Sequence, residues 1–254
     1  MSPEENIVPL ALENKDLKAE MIDAKDNKKH KYTARFVEYC KERYGNELNV
    51  ADERSYCYNS LPICIVDCVY SLRARYNSVT VPIVERYANK FLNGDKTISD
   101  ENDTLTDFIR NLTEFNLRNF ADNIAKNHQI LGGVPKEKVC LDIAEVLREL
   151  GIKTLRDFRE YSSREELADA IKSVKGIGAA GVNYLFMLTG DDSKSKPDVH
   201  IHRCIAEACG EDVSDKECQR IIEKSAQILK AEYPSLTIRK LDGVIWRDFS
   251  SRKG

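Results

Sequence analysis

Hydrophobic residues along this chain recur at helical rather than strand spacing, and turn residues punctuate the pattern every ten to twenty positions. Over residues 135–151, Val139, Ile143, Val146, Leu147 and Leu150 line one face, with Pro135 placed to start a helix and Gly151 to end it. Two capping-box patterns mark further helix starts. Ser163 with Glu166 leads into Leu167, Ile171 and Val174, and Ser214 with Glu217 leads into Cys218, Ile221, Ile222 and Leu229. Residues 105–130 supply one or two more helices, and 236–249 a last one that carries the single tryptophan, Trp246. The β-branched stretch from Ile63 to Tyr70 fits a strand or a helix. A helix is the choice, because no partner strand and no Asn-Gly hairpin stands elsewhere. The expected fold class is all-α.

Residues 1–31 are polar and charged, ending in Lys25, Lys28, Lys29, His30 and Lys31, and read as a flexible or loosely packed arm whose basic end could touch a phosphate. The chain has 254 residues, 42% of them hydrophobic and 32% charged, enough for one large core or two smaller ones. No apolar run approaches the roughly 20 residues that span a bilayer. The net charge of −3 gives no global sign of a nucleic-acid partner, so any DNA affinity must come from a local patch. The eight cysteines form no CxxC pair and no leading apolar segment is present, which reads as reduced thiols in a cytoplasmic protein. The closest pairs, Cys64 with Cys68 and Cys204 with Cys209, could set two thiolates on one metal. No histidine or carboxylate completes a regular ligand spacing, so they read instead as small buried residues and no metal is expected.

The informative stretch runs from Ser163 to Gly210. Two helical patterns are separated only by Lys175-Gly176-Ile177-Gly178. Glycines at 176 and 178 permit positive φ and leave the hairpin amides uncovered. With the helix start at Ala179 those amides offer a phosphate oxygen a site, although an ordinary turn between helices uses the same residues. Ile177 would plug the hairpin into the core. Further on, Pro197-Asp198-Val199-His200-Ile201-His202-Arg203 opens another helix and puts Asp198 where an N-cap falls. A carboxylate there is favoured by the helix dipole, whether it serves as a cap alone or in chemistry.

Together these residues resemble the helix-hairpin-helix DNA glycosylase superfamily, which includes endonuclease III and the alkylpurine glycosylases. The likeness is good over about fifty residues. It is carried by Val174-Lys175-Gly176-Ile177-Gly178 and by Asp198 followed by x-His-apolar-x-Arg. It implies two helical domains: a six-helix barrel over 61–189 that ends in the hairpin, and a terminal domain from 32–60 with 190–254. It implies Asp198 as the catalytic carboxylate. Lys175, Gly176, Ile177, Gly178 and Ala179 would hold DNA, and Arg73 or its neighbour Arg75 would fill the gap left by a flipped base, unless both are simply solvated. Tyr184 and Trp246 are candidates for the base pocket or for core packing. Strand-cutting relatives carry a lysine where this chain has Ala180, and the close-set cysteines of iron-sulfur members are missing. The resemblance therefore implies a monofunctional enzyme, a monomer acting on lesion-bearing double-stranded DNA. It needs no cofactor and no iron-sulfur cluster, with a monovalent cation the one ion the hairpin could hold. The rival readings are a non-catalytic DNA-binding protein and a helical interaction protein.

Overall fold

A computed structural model describes residues 10–49 and 58–252, with the side chains of 10–27 and 29 left aside. The described chain is almost wholly helical: α1 (Leu10–Leu48), α2 (Leu61–Ser71), α3 (Val81–Phe91), α4 (Leu105–Glu114), α5 (Leu117–Asn119), α6 (Lys136–Glu149), α7 (Leu155–Tyr161), α8 (Glu165–Ser173), α9 (Ala179–Thr189), α10 (Val199–Cys209), α11 (Asp215–Leu229) and α12 (Ile238–Ser251). π-helical turns at Tyr76–Thr80 and Phe120–Ala125 lead into α3 and follow α5. No helix among the described residues is long and apolar enough to cross a membrane.

Side chains at the helix starts explain where most elements begin. Thr104 and Asp107 form a reciprocal capping box on α4, as Thr154 and Asp157 do on α7. Ser60, Ser214 and Thr237 accept the third amide of α2, α11 and α12. The ambiguous Ile63–Tyr70 stretch is helical, and every residue of α2 is buried, which accounts for its uninterrupted apolar run.

Two expectations are corrected and a third is narrowed. The arm read up to residue 31 as flexible or loosely packed is helical from Leu10, in a stretch with neither glycine nor proline to break it. Lys28 there pairs with Glu211 at 2.9 Å, while residues 1–9 lie outside the described part. The box expected at Ser163 does not form. Instead α8 starts at Glu165 with Arg164 in the cap position and no side-chain cap, because Glu166 Oε2 accepts the Tyr161 hydroxyl at 3.0 Å and does not reach back. Finally, a short antiparallel pair stands where no strand was expected. β1 (Ile130–Leu131) and β2 (Val134–Pro135) join through Gly132 and Gly133, whose φ of +58° and +84° suit a tight primed turn.

The buried apolar side chains fall into two clusters. One gathers residues from Leu61 to Leu188 and so holds α2 to α9 together. The other joins Tyr32–Leu48 of α1 to Ile201–Phe249 of α10, α11 and α12. Seven cysteines are free and buried, and Cys57 lies outside the described residues. Cys64 and Cys68 serve as small core residues, their thiols directed at the carbonyls of Leu188 and Gly181.

Candidate functional site

Helices α8 and α9 are joined by a hairpin, and its two glycines do different things. Gly176 has φ +103°, and a Cβ there would lie 2.7 Å from the Leu131 carbonyl oxygen, so both its conformation and its contact with β1 demand glycine. Gly178 has φ −97° and ψ −180°, ordinary extended backbone, which corrects the expectation of positive φ at that position. A Cβ at Gly178 would meet nothing within 4 Å. Its bareness leaves open space before the first turn of α9, where no side chain caps the free amides. Ile177 is 6% exposed and belongs to the core of α2–α9, so it plugs the hairpin as expected. Lys175 and Ala179 are exposed beside it.

Arg73 follows the end of α2 with φ +55° and a side chain in solvent, and Arg75 is exposed as well. The turn is held from below by Lys136, fully buried, whose ammonium donates to the carbonyls of Tyr70 and Leu72 and to Gln129 Oε1. Burial lowers that ammonium to about 8.

Asp198 occupies the N-cap of α10. Its Oδ1 accepts the amides of His200 at 2.8 Å and Ile201 at 3.2 Å, and Oδ2 has no hydrogen-bond partner among the described residues. The loop before it carries Lys196, whose carbonyl accepts the Asp198 amide at 2.7 Å. The Lys196 ammonium lies 3.8 Å from the centroid of the Tyr184 ring and donates to Ser71 Oγ at 3.0 Å. Helix α9 thus runs from the open hairpin at one end to a tyrosine under the lysine that sits two residues before Asp198.

The Tyr184 hydroxyl donates to Asp67 Oδ1 at 2.9 Å, while Tyr58 and Tyr76 both donate to Oδ2. Asp67 is completely buried. Burial raises its carboxyl, against the pull of the three hydroxyls and of Lys196. The Tyr76 ring meets Trp246 edge to face at 5.6 Å, and Trp246 meets His200 at 6.1 Å. Trp246 and Tyr184 are therefore linked through Tyr76, and His200 connects them to the head of α10. The His200 Nδ1 is buried without a partner.

One turn before Trp246 on α12, Asp242 is 6% exposed. Its Oδ2 accepts the Lys196 amide at 2.9 Å. Burial and, after it, the neighbouring charge of Asp198 raise this carboxyl to about 8, opposed by Lys196 and Arg239. Sequence reading missed Asp67, Lys136, Lys196 and Asp242. Only Asp242 left a signal, its spacing of one helical turn from Trp246. Surface cavities near Arg35 and Tyr39, and near Arg159 and Asp191, are lined by none of these residues. No group of three or more His, Cys, Asp or Glu among the described residues is arranged to hold a metal ion.

The chain belongs to a family described as a domain of unknown function, DUF8548, which matches residues 34–250. No curated protein and no solved structure matches it.

Proposed function

We propose that the protein is a base-excision DNA glycosylase of the monofunctional kind, which hydrolyses the N-glycosidic bond of a damaged or mismatched base and leaves the strand intact. In this reading α2–α9 form a barrel-like helical domain and α1 with α10–α12 a second, each around its own hydrophobic cluster. The flipped base enters where they meet. One observation carries the reading: Asp198 caps α10 through one oxygen only, its other oxygen has no hydrogen-bond partner among the described residues, and the same stretch carries His200, whose ring meets Trp246, and Lys196, whose ammonium lies over Tyr184. Phosphate binding alone needs no such carboxylate.

The chemistry follows from this arrangement. The open amides at the start of α9 hold a backbone phosphate and set the register of the strand. Asp198 Oδ2 orients and deprotonates a water, and its charge offsets the positive charge growing on the sugar as the base departs. Arg73, turned outward on the clamped end of α2, fills the space the base has left.

The test is to incubate the protein with duplexes that each bear a single lesion and then to treat them with alkali, which breaks the strand at abasic sites. Alkali-dependent breaks at one lesion support the reading. A second reading, a DNA-binding protein without catalysis, is favoured by Ala180, which offers no nucleophile where strand-cutting glycosylases carry one. It predicts salt-dependent binding to all duplexes and no breaks at any lesion.

A further inference from the structure

Two carboxyls lie close together in this group, and the charge of Asp198 adds to burial in raising Asp242. Asp242 is tied through Oδ2 to the Lys196 amide, and the Lys196 carbonyl accepts the Asp198 amide, so one residue anchors both acids. Asp242 Oδ1 makes no hydrogen bond among the described residues. The titratable groups that bear on Asp242 come from every side. Asp198 lies at the head of α10, Lys196 in the loop, Arg239 on its own helix, and the Cys218 thiol, itself raised to about 12, on α11. His200 reaches its helix through Trp246. With a carboxyl raised to about 8, Asp242 carries a proton at neutral pH. An oxygen that accepts an amide N–H is the carbonyl oxygen of a neutral carboxyl, so the proton sits on Oδ1.

We propose that Asp242 is the proton donor to the departing base: Oδ1–H hydrogen-bonds an acceptor atom on the flipped base and passes its proton across as the glycosidic bond breaks. The inference rests on the glycosylase reading above. In the step, the electron pair of the bond between sugar C1′ and base nitrogen goes to the base, which takes the Asp242 proton. Water adds its oxygen to C1′ and gives its proton to Asp198. Transfer of that proton from Asp198 to Asp242 restores both acids, and the balance is water plus nucleotide giving an abasic sugar plus neutral base. A buried carboxyl that keeps its proton beside a second carboxyl is a pattern by which one site holds both an acid and a base. The proposal also narrows the substrate. It is a neutral base with a ring nitrogen or carbonyl at its edge, one that leaves poorly until protonated, rather than a cationic alkylated purine that leaves unaided.

The experiment follows single-turnover release by wild type and Asp242→Asn from duplexes bearing uracil, hypoxanthine, 8-oxoguanine or N7-methylguanine. Asparagine keeps the bond to the Lys196 amide and a donor toward the base, but holds no transferable proton. A neutral base should be released by wild type at a rate that falls about tenfold per pH unit above pH about 8. The variant should bind the same duplex as wild type yet release the base about 10²–10⁴-fold more slowly. Any release of N7-methylguanine should be the same for both proteins. A flat wild-type profile across that pH range overturns the proposal even where the variant fails to fold, and so does equal loss of neutral and cationic substrates. Release of the cationic base alone overturns it while leaving the glycosylase reading intact. No release of any base by wild type overturns the glycosylase reading itself.

Discussion

The buried ammonium of Lys136 donates to the carbonyl of Leu72 at 2.7 Å and so fixes the last peptide before Arg73 turns to φ +55°. The same ammonium holds the Tyr70 carbonyl and Gln129, which ties the first residue of α6 to the end of α2 and to the approach to β1. Lys136→Ala leaves two carbonyls unpaired and a cavity behind them, and should cost about 2–4 kcal/mol of stability in urea denaturation. A loss below about 0.5 kcal/mol would mean that the clamp is idle. Its pH dependence has a definite sign. The unfolded lysine keeps its proton up to 10.5 and the folded one only to about 8, so between those values the unfolded chain binds more protons. This group's contribution therefore rises with pH across that window, and the slope should vanish in Lys136→Met.

Gly176 and Gly178 should respond in opposite ways to the same change. Gly176→Ala combines positive φ with a collision against the Leu131 carbonyl, and is expected to cost more than about 1 kcal/mol. Gly178→Ala meets open space in an extended conformation and should melt as wild type does. Gly178→Val should nonetheless weaken binding to damaged and undamaged DNA alike, because its bulk covers the amides at the start of α9. Equal affinity for wild type and a folded Gly178→Val, measured by anisotropy, would reduce the hairpin to a turn.

The parts of this structure that were legible in the sequence are those governed by neighbours along the chain. Asp198 at the head of α10 and Gly151 beyond α6 follow short-range capping rules, and the structure keeps them; Ser214 caps α11, but the expected box is only half formed, because both Glu217 oxygens accept from Arg220. Ser163 obeys the same rule on paper, yet Tyr161 takes the carboxylate that the box requires. Asp67 was invisible for a different reason. Its three hydroxyl partners come from the chain before α2, the turn after it and α9, and a lone aspartate in an apolar run does not announce them. Lys196 and Asp242 belong to that same class, since each gains its meaning from a residue more than forty positions away.

Tyr184 tests whether that buried carboxylate is held as described. Tyr184→Phe removes one charge-assisted hydrogen bond from Asp67 and should cost about 1.5–3 kcal/mol. Tyr184→Phe also leaves the ring beneath Lys196, so the fold should be otherwise unchanged. Thermal and urea unfolding measure the loss, and a neutral result would show that Tyr58 and Tyr76 alone satisfy the carboxylate.

For Asp198, the cap and the chemistry can be separated. Asparagine accepts the His200 and Ile201 amides as aspartate does, so Asp198→Asn should fold normally and still bind lesion-bearing DNA. It lacks the charge and the basic oxygen that the proposed reaction needs, and base release should fall by at least about 10²-fold. Single-turnover release near the wild-type rate would remove Asp198 from the chemistry and leave it a cap.

Under the proposed reading, Ala180 bears on what happens after the base has gone. The strand-cutting helix-hairpin-helix glycosylases that the hairpin resembles use a lysine at this position to form an imine with the sugar, and alanine has no amine to offer. Lys172 and Lys175 are exposed on the preceding helix and in the hairpin. Lys196 is closer to Asp198 in the chain, but its ammonium is committed to the Tyr184 ring and the Ser71 hydroxyl, both on the α2–α9 side of the group. An amine held in that way is not free to attack the sugar, so no covalent intermediate should accumulate. Borohydride added with protein and lesion-bearing duplex should therefore trap no protein-DNA adduct on a denaturing gel, and strand breaks should appear only after alkali. An adduct in stoichiometric yield that disappears in Lys196→Met would show that this lysine swings onto the sugar, and the single-step mechanism would give way to one with an imine.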